Sequence, residues 1–196
     1  MAGDRPDGVG RRSGHDVIVI GGGPAGCAAA VTLAHRGRSV VLVVDRRHHR
    51  TSGVGEAAPP GLDRAVDDVF GPGTFIPGDH LRSLGNRSAW GTDELVGTDF
   101  MFHPFGTGWH LHRPAFDASL VAAAETAGAT LRTSLDRPPA VVAPMVIDAS
   151  GRCAVHARRH GARRVVGDRL IAVLTTYPRA GSDNDATTTV EAVADG

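Results

Sequence analysis

Residues 16–45 read DVIVIGGGPAGCAAAVTLAHRGRSVVLVVD, and this stretch decides the fold. Its first five residues are mostly β-branched and stop at three glycines, as a buried parallel strand does. The next segment, Pro24–His35, is rich in Ala, begins with a Pro where a first helical turn tolerates it, and is followed by Gly37. A second apolar run, Val40–Val44, completes the pattern. The stretch predicts a strand–helix–strand unit and an α/β fold with a parallel sheet.

Three glycines occupy the turn between the predicted strand and helix, at the spacing Gly21-x-Gly23-x-x-Gly26. In dinucleotide-binding proteins the first glycine makes the tight turn, the second lets a pyrophosphate approach the backbone, and the third lets the helix lie close to the strand. The helix N-terminus, with Pro24 and Ala25 in its first turn, then offers N–H groups and the positive end of its dipole to phosphates. The alternative is a glycine-rich turn that binds no ligand.

An acid stands where the second predicted strand ends. Asp45 lies near the spacing expected for the carboxylate that hydrogen-bonds a ribose. Because a carboxylate accepts ribose hydroxyl protons and repels a 2′-phosphate, Asp45 favours FAD or NAD over NADP. Its neighbour Arg46 weakens that argument slightly.

Composition excludes several classes of function. The chain has 196 residues with 21 basic and 21 acidic side chains, so its net charge of zero gives no overall field for nucleic acid or a membrane surface. All the basic residues are Arg, which excludes mechanisms that need a lysine amine within this sequence. Two cysteines, Cys27 and Cys153, cannot form a disulfide framework or a four-ligand zinc site by themselves. The sequence lacks an 18-residue apolar run and a convincing signal peptide, so we expect a cytoplasmic protein.

Five motifs resemble those of the FAD-dependent monooxygenases of the flavin-dependent halogenase-like family, and they occur in the same order. They are GGGPAGCAAA at residues 21–30, Asp45-Arg46, GVGE at 53–56, GWHLHRPAFDASL at 108–120 and VIDASGR at 146–152. SAWG at residues 88–91 and the stretch at 109–120 are most similar to a subgroup that oxidises a Trp in a partner protein during maturation of quinone-cofactor amine oxidases. The resemblance runs over most of this chain but covers only the N-terminal part of the family's fold.

The resemblance implies FAD as the cofactor and assigns roles to matching residues. The glycine turn would bind the FAD pyrophosphate, Asp45 the adenosine ribose, and Arg113 the region of the phosphates. Residues 53–56 would run beside the flavin ring, and residues 148–151 would form a second acid-and-glycine turn. The full set is Gly21, Gly23, Pro24, Ala25, Gly26, Asp45, Arg46, Gly55, Glu56, Arg113, Asp148 and Gly151. The alternatives are that Glu56 only caps a helix, that Arg113 is a surface charge, and that the second turn is an ordinary strand-to-helix connection.

The sequence also departs from that family. The halogenases use a Lys to handle hypohalous acid, and this sequence has no Lys. The family's later Gly-Asp motif, which holds the ribityl chain, and the Trp-rich motif of true halogenases are absent from these residues. Residues 134–145 are short and rich in Pro where relatives carry extra strands. We therefore predict oxygenation without halogenation, and we leave the catalytic residues unassigned.

The predicted fold is a three-layer, Rossmann-like FAD-binding domain with part of a second β-sheet substrate region. The cofactor domain is expected at residues 15–65 and 111–165, and the substrate region at 66–110 and 166–196, after a disordered arm at 1–14. Residues 62–70 and 114–127 are predicted helices, and residues 99–113 two strands joined at a glycine turn. Residues 53–61 are expected to be a loop and residues 70–91 to be rich in loops. Residues 170–177 and 187–193 are expected to be strands of a different, exposed sheet. Because residues 187–193 form a strand pattern close to the last residue, we expect a truncated protein.

Three further groups of residues give weaker functional signals. His103, His110 and His112 fall on the two predicted strands, and packed or surface histidines are a better interpretation than a zinc site. The basic run at residues 156–164 lacks stacking aromatics, so cations complementing a helix dipole are favoured over a nucleic-acid patch. Trp90 and Trp109 suit either core packing or an aromatic pocket.

The function expected from the resemblance is that of a monooxygenase acting through a flavin C4a-hydroperoxide on an aromatic substrate, either a small molecule or a Trp-containing peptide. Its reductant would be NAD(P)H or a separate flavin reductase, and a partner protein is possible. We expect no metal, no nucleic acid and no membrane as partners. Two other hypotheses are a non-catalytic fragment that binds flavin weakly or not at all, and an NAD-binding module.

Overall fold

The computed structural model describes most of the chain between residues 14 and 192. The described residues are 14–45, 56–92, 94–133, 143–167, 173, 175 and 186–192. The strands are β1 Val17–Ile20, β2 Val40–Val44, β3 Glu56–Ala58, β4 Leu81–Ser83, β5 Gly85–Trp90, β6 Val96–Asp99, β7 Gly108–Leu111, β8 Thr130–Thr133, β9 Met145–Asp148 and β10 Thr187–Ala192. The helices are α1 Pro24–His35, α2 Leu62–Phe70, α3 Arg113–Thr126 and α4 Val155–Arg159.

The strand–helix–strand unit predicted from residues 16–45 is confirmed. β1 and β2 pair in parallel with Val17 opposite Val40, and α1 connects them. Pro24 begins the helix, and Gly37 follows its end at a φ of +73°, a conformation that glycine adopts without a Cβ clash.

All four strands of the central sheet are parallel, and their order is β8-β2-β1-β9. The two central strands of such a sheet are buried on both faces, and β1 and β2 are correspondingly apolar, whereas the edge strand β8 is polar and half exposed. One face, which carries Val19 and Leu42, packs with α1, α2 and α3, where Leu120 of α3 is fully buried. The other face carries Ile18, Val41 and Val43. Because the strands are parallel, their carboxyl ends lie at one edge, where ligands of doubly wound folds bind.

Two smaller sheets lie outside the parallel one. β7 is the central strand of the first and pairs antiparallel with β3 and β4. In the second, β5 pairs antiparallel with β6 and parallel with β10. The prediction that residues 187–193 belong to a different, exposed sheet is therefore confirmed for Thr187–Ala192.

Two stretches that were expected to be a loop or rich in loops, residues 53–61 and 70–91, contain three strands, and one predicted hairpin is wrong. β3, β4 and β5 were expected to be loop because they are short and lack apolar alternation. β6 and β7 do not form the hairpin expected at residues 99–113, since β6 pairs with β5 and β7 with β3 and β4. A run of turns between them lets each strand join a different sheet. The strand expected at residues 170–177 falls almost entirely outside the described residues, as does the arm at 1–14.

The sheets can be compared with the predicted domain division. Every strand of the parallel sheet comes from the segments assigned to the cofactor domain. β3, however, belongs to the cofactor segment by sequence and pairs with β7, which straddles the boundary. The division into two regions stays a prediction. None of the helices in the described ranges is long and apolar enough to cross a membrane.

Candidate dinucleotide-binding site

The first glycine of the motif lies where three strands of the parallel sheet end. Gly21 has a φ of +118°, and its N–H donates to the carbonyl oxygen of Val43 at 2.9 Å. A Cβ at this position would overlap the carbonyl oxygen of Ala149, just beyond β9. The conformation and the contact both require glycine, so β1 can turn tightly between its two neighbouring strands.

The third glycine lets the helix approach this turn. A Cβ at Gly26 would overlap the carbonyl oxygen of Gly21 and would lie 3.2 Å from the Cβ of Ala149. Gly26 is buried in the second half of the first helical turn. Helix α1 therefore lies directly against the end of β1, as the third glycine of a dinucleotide-binding turn permits.

The second glycine faces open space. A Cβ at Gly23 would meet no atom within 4 Å, and Gly23 has an ordinary extended backbone with a φ of −80°. This residue is the N-cap of α1, and the first intrahelical bond runs from the N–H of Cys27 to its carbonyl oxygen at 3.0 Å. The N–H groups of Ala25 and Gly26 precede that bond and point out of the helix end. The space that a side chain would fill therefore borders a helix N-terminus, which fits the pyrophosphate of FAD or NAD.

Cys27 is a packed residue beneath this turn. Its side chain is fully buried, and its thiol donates to the carbonyl oxygen of Gly22 at 3.4 Å. Burial, together with the negative charge of Asp117, raises the pKa of the Cys27 thiol to about 12. The thiol therefore stays protonated at physiological pH and acts as a small core side chain.

The structure also places Asp45 at the expected edge of the sheet. It follows β2 directly and is partly buried. The carboxyl end of β2 neighbours that of β1, so Asp45 and the glycine turn flank the same edge. Its contact with a ribose stays a prediction. Arg46 and Gly55, with Gly53 and Val54 of the segment expected beside the flavin ring, lie outside the described residues.

Arg113 joins two carboxylates. Its Nη1 donates to Glu56 at the start of β3, and its Nη2 contacts the two carboxylate oxygens of Asp117 at 3.0 and 3.3 Å. Burial alone would lower the pKa of Arg113, but the hydrogen bonds and charges of both acids raise it above its usual value. Nε of Arg113 is buried and has no hydrogen-bond partner in the described part of the chain.

Sequence reasoning missed Asp117. It is four residues after Arg113 within a helix that the sequence predicts, and this i, i+4 spacing places the two side chains on one helix face. The spacing was a sufficient signal for the pair. The contact from Arg113 to Glu56 has no comparable local signal, since the two residues lie far apart in the chain.

Asp148 organises the second turn. One carboxylate oxygen accepts from the N–H and hydroxyl of Ser150, and the other accepts from the N–H groups of His156 and Ala157 at 2.9 and 2.8 Å. Partial burial would raise the pKa of Asp148, but these hydrogen bonds outweigh it and lower the pKa. Gly151 follows at a φ of +62°. The carboxylate thus fixes the start of α4, while a contact of this turn with the cofactor stays a prediction.

The three histidines at positions 103, 110 and 112 lie in different surroundings. His103 lies in the turns between β6 and β7, His110 lies within β7 with Nε2 3.3 Å from the carbonyl oxygen of Ala186, and His112 precedes α3. Among the residues that the structure describes, no group of three or more metal-ligating side chains occurs. Trp109 is buried against Phe75 and beneath Arg82, whereas Trp90 is 70% exposed.

Comparison with known proteins relates this part of the chain to FAD-dependent oxidoreductases. The family described as FAD dependent oxidoreductase matches residues 16–49, which include the glycine turn and Asp45. The chain is similar to FAD-dependent oxidoreductases. LodB of Marinomonas mediterranea, which is assigned to the same class, is 29% identical over 186 residues, covering 81% of this chain and 49% of LodB. The chain therefore spans about half the length of this curated relative.

Solved structures give the same fold. The halogenase PltM, in complex with phloroglucinol and FAD, has a TM-score of 0.62 and 26% identity, covering 78% of this chain and 37% of PltM. The peptidyl tryptophan dihydroxylase QhpG, which is essential for tryptophylquinone cofactor biogenesis, has a TM-score of 0.56 and 20% identity, covering 81% of this chain and 35% of QhpG. The expected Rossmann-like fold of FAD-binding proteins is therefore confirmed, together with the resemblance to halogenase-like flavoproteins.

Proposed function

We propose that this protein is an FAD-dependent monooxygenase that hydroxylates an electron-rich aromatic ring. The observation that carries the proposal is the open space at Gly23, at the N-terminus of a helix that Gly21 and Gly26 hold against the sheet. Two glycines there are required by contacts within the protein, and the middle one is required by none. A pyrophosphate bound in that space would explain why position 23 has no side chain.

FAD is favoured over other dinucleotides by Asp45 and by the relatives. A carboxylate at the end of β2 accepts hydrogen bonds from the adenosine ribose and repels the 2′-phosphate of NADP. The matched family and LodB are FAD-dependent oxidoreductases, and PltM binds FAD in its crystal structure. The residues that would hold FAD are the glycine turn, the first-turn amides of α1, and Asp45.

Hydroxylation is favoured over halogenation by the absence of lysine. Halogenases of the family that this chain resembles use a Lys amine for hypohalous acid, and these 196 residues contain none. Arg is a poor replacement because its guanidinium stays protonated at physiological pH. Hydroxylation needs no amine: one oxygen atom enters the ring, the other leaves as water, and a reductant supplies two electrons.

The proposed substrate is an aromatic ring, either in a small molecule or in a Trp-containing peptide. PltM binds phloroglucinol, an electron-rich aromatic compound, which supports the small-molecule class. FAD supplies the redox chemistry when it is bound and reduced by NAD(P)H or by a separate flavin reductase. This chain's own residues bind and orient the cofactor, and among the described residues we assign none as a general acid or base.

The first experiment measures flavin binding. The purified protein is titrated with FAD and, separately, with NAD, and binding is followed by flavin fluorescence and by thermal stabilisation. We expect saturable FAD binding with a flavin absorbance spectrum. A colourless protein that FAD does not stabilise would support a non-catalytic fragment, and stabilisation by NAD alone would support an NAD-binding module.

The second experiment identifies the reaction. The protein receives FAD, a reductant, oxygen and bromide together with phloroglucinol, indoles or Trp-containing peptides, and product masses are measured. We expect an enzyme-dependent gain of one oxygen atom and no bromine isotope doublet. The Gly23→Val variant is the control, because free reduced flavin also produces peroxide. A product that is equally abundant with this variant would not be enzymatic, and a brominated product would contradict the assignment.

A further inference from the structure

Glu56, Arg113 and Asp117 form a bridge between β3 and α3. Arg113 is the first residue of α3, Asp117 lies one turn further along the same helix, and Glu56 is the first residue of β3. β3 pairs with β7, which leads directly into α3, and Glu56 stands opposite Leu111 in that pair. The guanidinium therefore ties the first residue of β3 to the first turn of α3.

The two acids differ in how firmly they hold the guanidinium. The Asp117 side chain is 13% exposed and contacts Arg113 through both oxygens, whereas the Glu56 side chain is 55% exposed and contacts it through one. Arg113 itself is 23% exposed. A shielded contact to a charged group is held more strongly than an exposed one, which solvent screens. Asp117 is therefore the inner anchor of Arg113, and Glu56 is the outer partner.

This bridge lies at the same edge of the parallel sheet as the glycine turn, because α1 and α3 lead into the parallel strands β2 and β8 and therefore both begin at the carboxyl edge. The negative charge of Asp117 acts on Cys27 of α1, whose thiol donates to the carbonyl oxygen of Gly22. α1 and α3 pack in one core, in which Cys27 and Phe116 are both buried. Asp117 thus lies in the first turns of α3, which packs beside the helix that begins at the glycine turn.

We infer that Asp117 is a positioning residue for the FAD site: it holds the Arg113 guanidinium in place at the same edge of the parallel sheet as the glycine turn. The inference rests on the proposed function, because it assumes that FAD binds at that turn. Arg113 would offer the cofactor the Nη hydrogens that its contacts with Glu56 and Asp117 leave over. Without Asp117 those donors would be held only by the exposed Glu56.

A purely structural ion pair is the competing explanation, and it predicts different results. A structural pair would change the stability of the fold and leave the FAD affinity of the folded protein unaltered. A positioning residue acts only through Arg113, so removing Asp117 would add nothing once Arg113 is gone. A double-mutant cycle on FAD affinity distinguishes the two.

The experiment measures the FAD dissociation constant by flavin fluorescence for the wild type, Asp117→Ala, Arg113→Ala and the double variant. Circular dichroism first establishes the temperature at which all variants are folded. Two controls are on the same helix: Glu125→Ala removes an exposed carboxylate, and Val121→Ala removes packing at a partly buried position. The flavin absorbance and circular dichroism bands of each complex report the cofactor environment independently of activity.

We expect Asp117→Ala and Arg113→Ala each to weaken FAD binding roughly 10- to 100-fold, the range for losing hydrogen bonds of a charged group. The double variant should match Arg113→Ala, and Asp117→Asn, which keeps one acceptor oxygen, should lie between Asp117→Ala and the wild type. Both controls should bind FAD as the wild type does. Wild-type affinity in Asp117→Ala, or effects that multiply in the double variant, would overturn the inference alone. A wild type that binds no FAD would overturn the proposed function as well.

Discussion

The carbonyl oxygen of Gly21 occupies the position that a side chain at Gly26 would need, so the helix and the strand meet through backbone alone. Gly23, between them in sequence, has no such neighbour. The three glycines of one motif therefore serve different purposes. Two are required by the fold, and for the third we propose a bound ligand as the reason.

This difference predicts separate effects of substitution on folding and on binding. Gly23→Val should abolish FAD binding and reduce stability by no more than about 1 kcal/mol, the cost of a poor N-cap residue. Its two methyl groups would fill the space that the pyrophosphate needs. FAD titration and thermal unfolding measure the two effects. Gly167→Val, at an exposed glycine that also faces open space, is the matched control and should leave FAD affinity unchanged. Retained affinity in Gly23→Val would remove the phosphate-binding interpretation.

Gly26→Ala should behave in the opposite way. Its Cβ would overlap the Gly21 carbonyl oxygen, so α1 must move away from β1 and the fold is destabilised by about 1–3 kcal/mol, the range for overpacking a core. Denaturant unfolding measures the loss. Ala28→Gly, one position past the buried Cys27 on the same helix, is a useful comparison. It should lower the free energy of unfolding by only about 1 kcal/mol, the difference in helix propensity between Ala and Gly. Equal effects of the two substitutions would argue against close helix–strand packing.

Asp45→Ala should weaken FAD binding by about 1–3 kcal/mol, which corresponds to losing hydrogen bonds from the ribose to a charged group. Isothermal titration measures the change. Asp16→Ala is the matched control: Asp16 lies at the opposite end of β1, where its carboxylate accepts from the N–H of Ser39 at 2.9 Å. We expect that control to bind FAD normally. If Asp45→Ala binds equally well, the ribose contact is wrong.

The hydrogen bonds to Asp148 predict a dependence of stability on pH. Its pKa is lowered in the folded protein, so its contribution is present above the unfolded pKa of about 3.9 and is lost as the pH falls through the folded value. Asp148→Asn should reduce stability at pH 7 by about 1–2 kcal/mol, because an amide cannot accept all the N–H groups that the carboxylate binds. The loss should shrink towards pH 2 in thermal unfolding experiments. Asp68→Asn, at an exposed position of α2, should show no such difference.

The two cysteines should differ in reactivity. Cys153 is exposed, whereas Cys27 is buried and its pKa is raised to about 12. Because the thiolate is the reacting species, a thiol reagent at pH 8 should label one residue of the native protein, and peptide masses should identify it as Cys153. Cys27 should react only after unfolding. Native labelling that survives in Cys153→Ser would contradict this assignment.

Local patterns explain why the parallel sheet was predictable. β1, α1 and β2 are encoded by runs of apolar residues with glycines at their ends, and their contacts lie within one strand–helix–strand unit. β4 and β5 were not predicted because neither strand has an alternating apolar pattern. Both strands pair with partners far away in the sequence. The hairpin expected around Gly106 failed for the same reason, since strand proximity in the chain does not decide which sheet a strand joins.

The candidate site shows the same difference between local patterns, which the sequence predicts, and contacts between distant residues, which it does not. The roles of Gly21 and Gly26 follow from their spacing, because the geometry of the glycine turn is local. The bridge from Glu56 through Arg113 combines a local pair with a distant one, so only Asp117 had a sequence signal. Asp148 was expected near the cofactor. Its four hydrogen bonds to the following turn could not be predicted, because two of the donors are N–H groups in the first turn of α4.

The pairing of β10 with β5 has a consequence for the order in which the molecule folds. Thr187 lies opposite Gly85, roughly a hundred residues away in the chain, so this parallel ladder closes a long loop and carries a high entropic cost. β1 and β2 are joined by a far shorter segment. We expect the strand–helix–strand unit to form early and the β10 ladder late, so a chain emerging from the ribosome would complete its glycine turn well before that ladder could close.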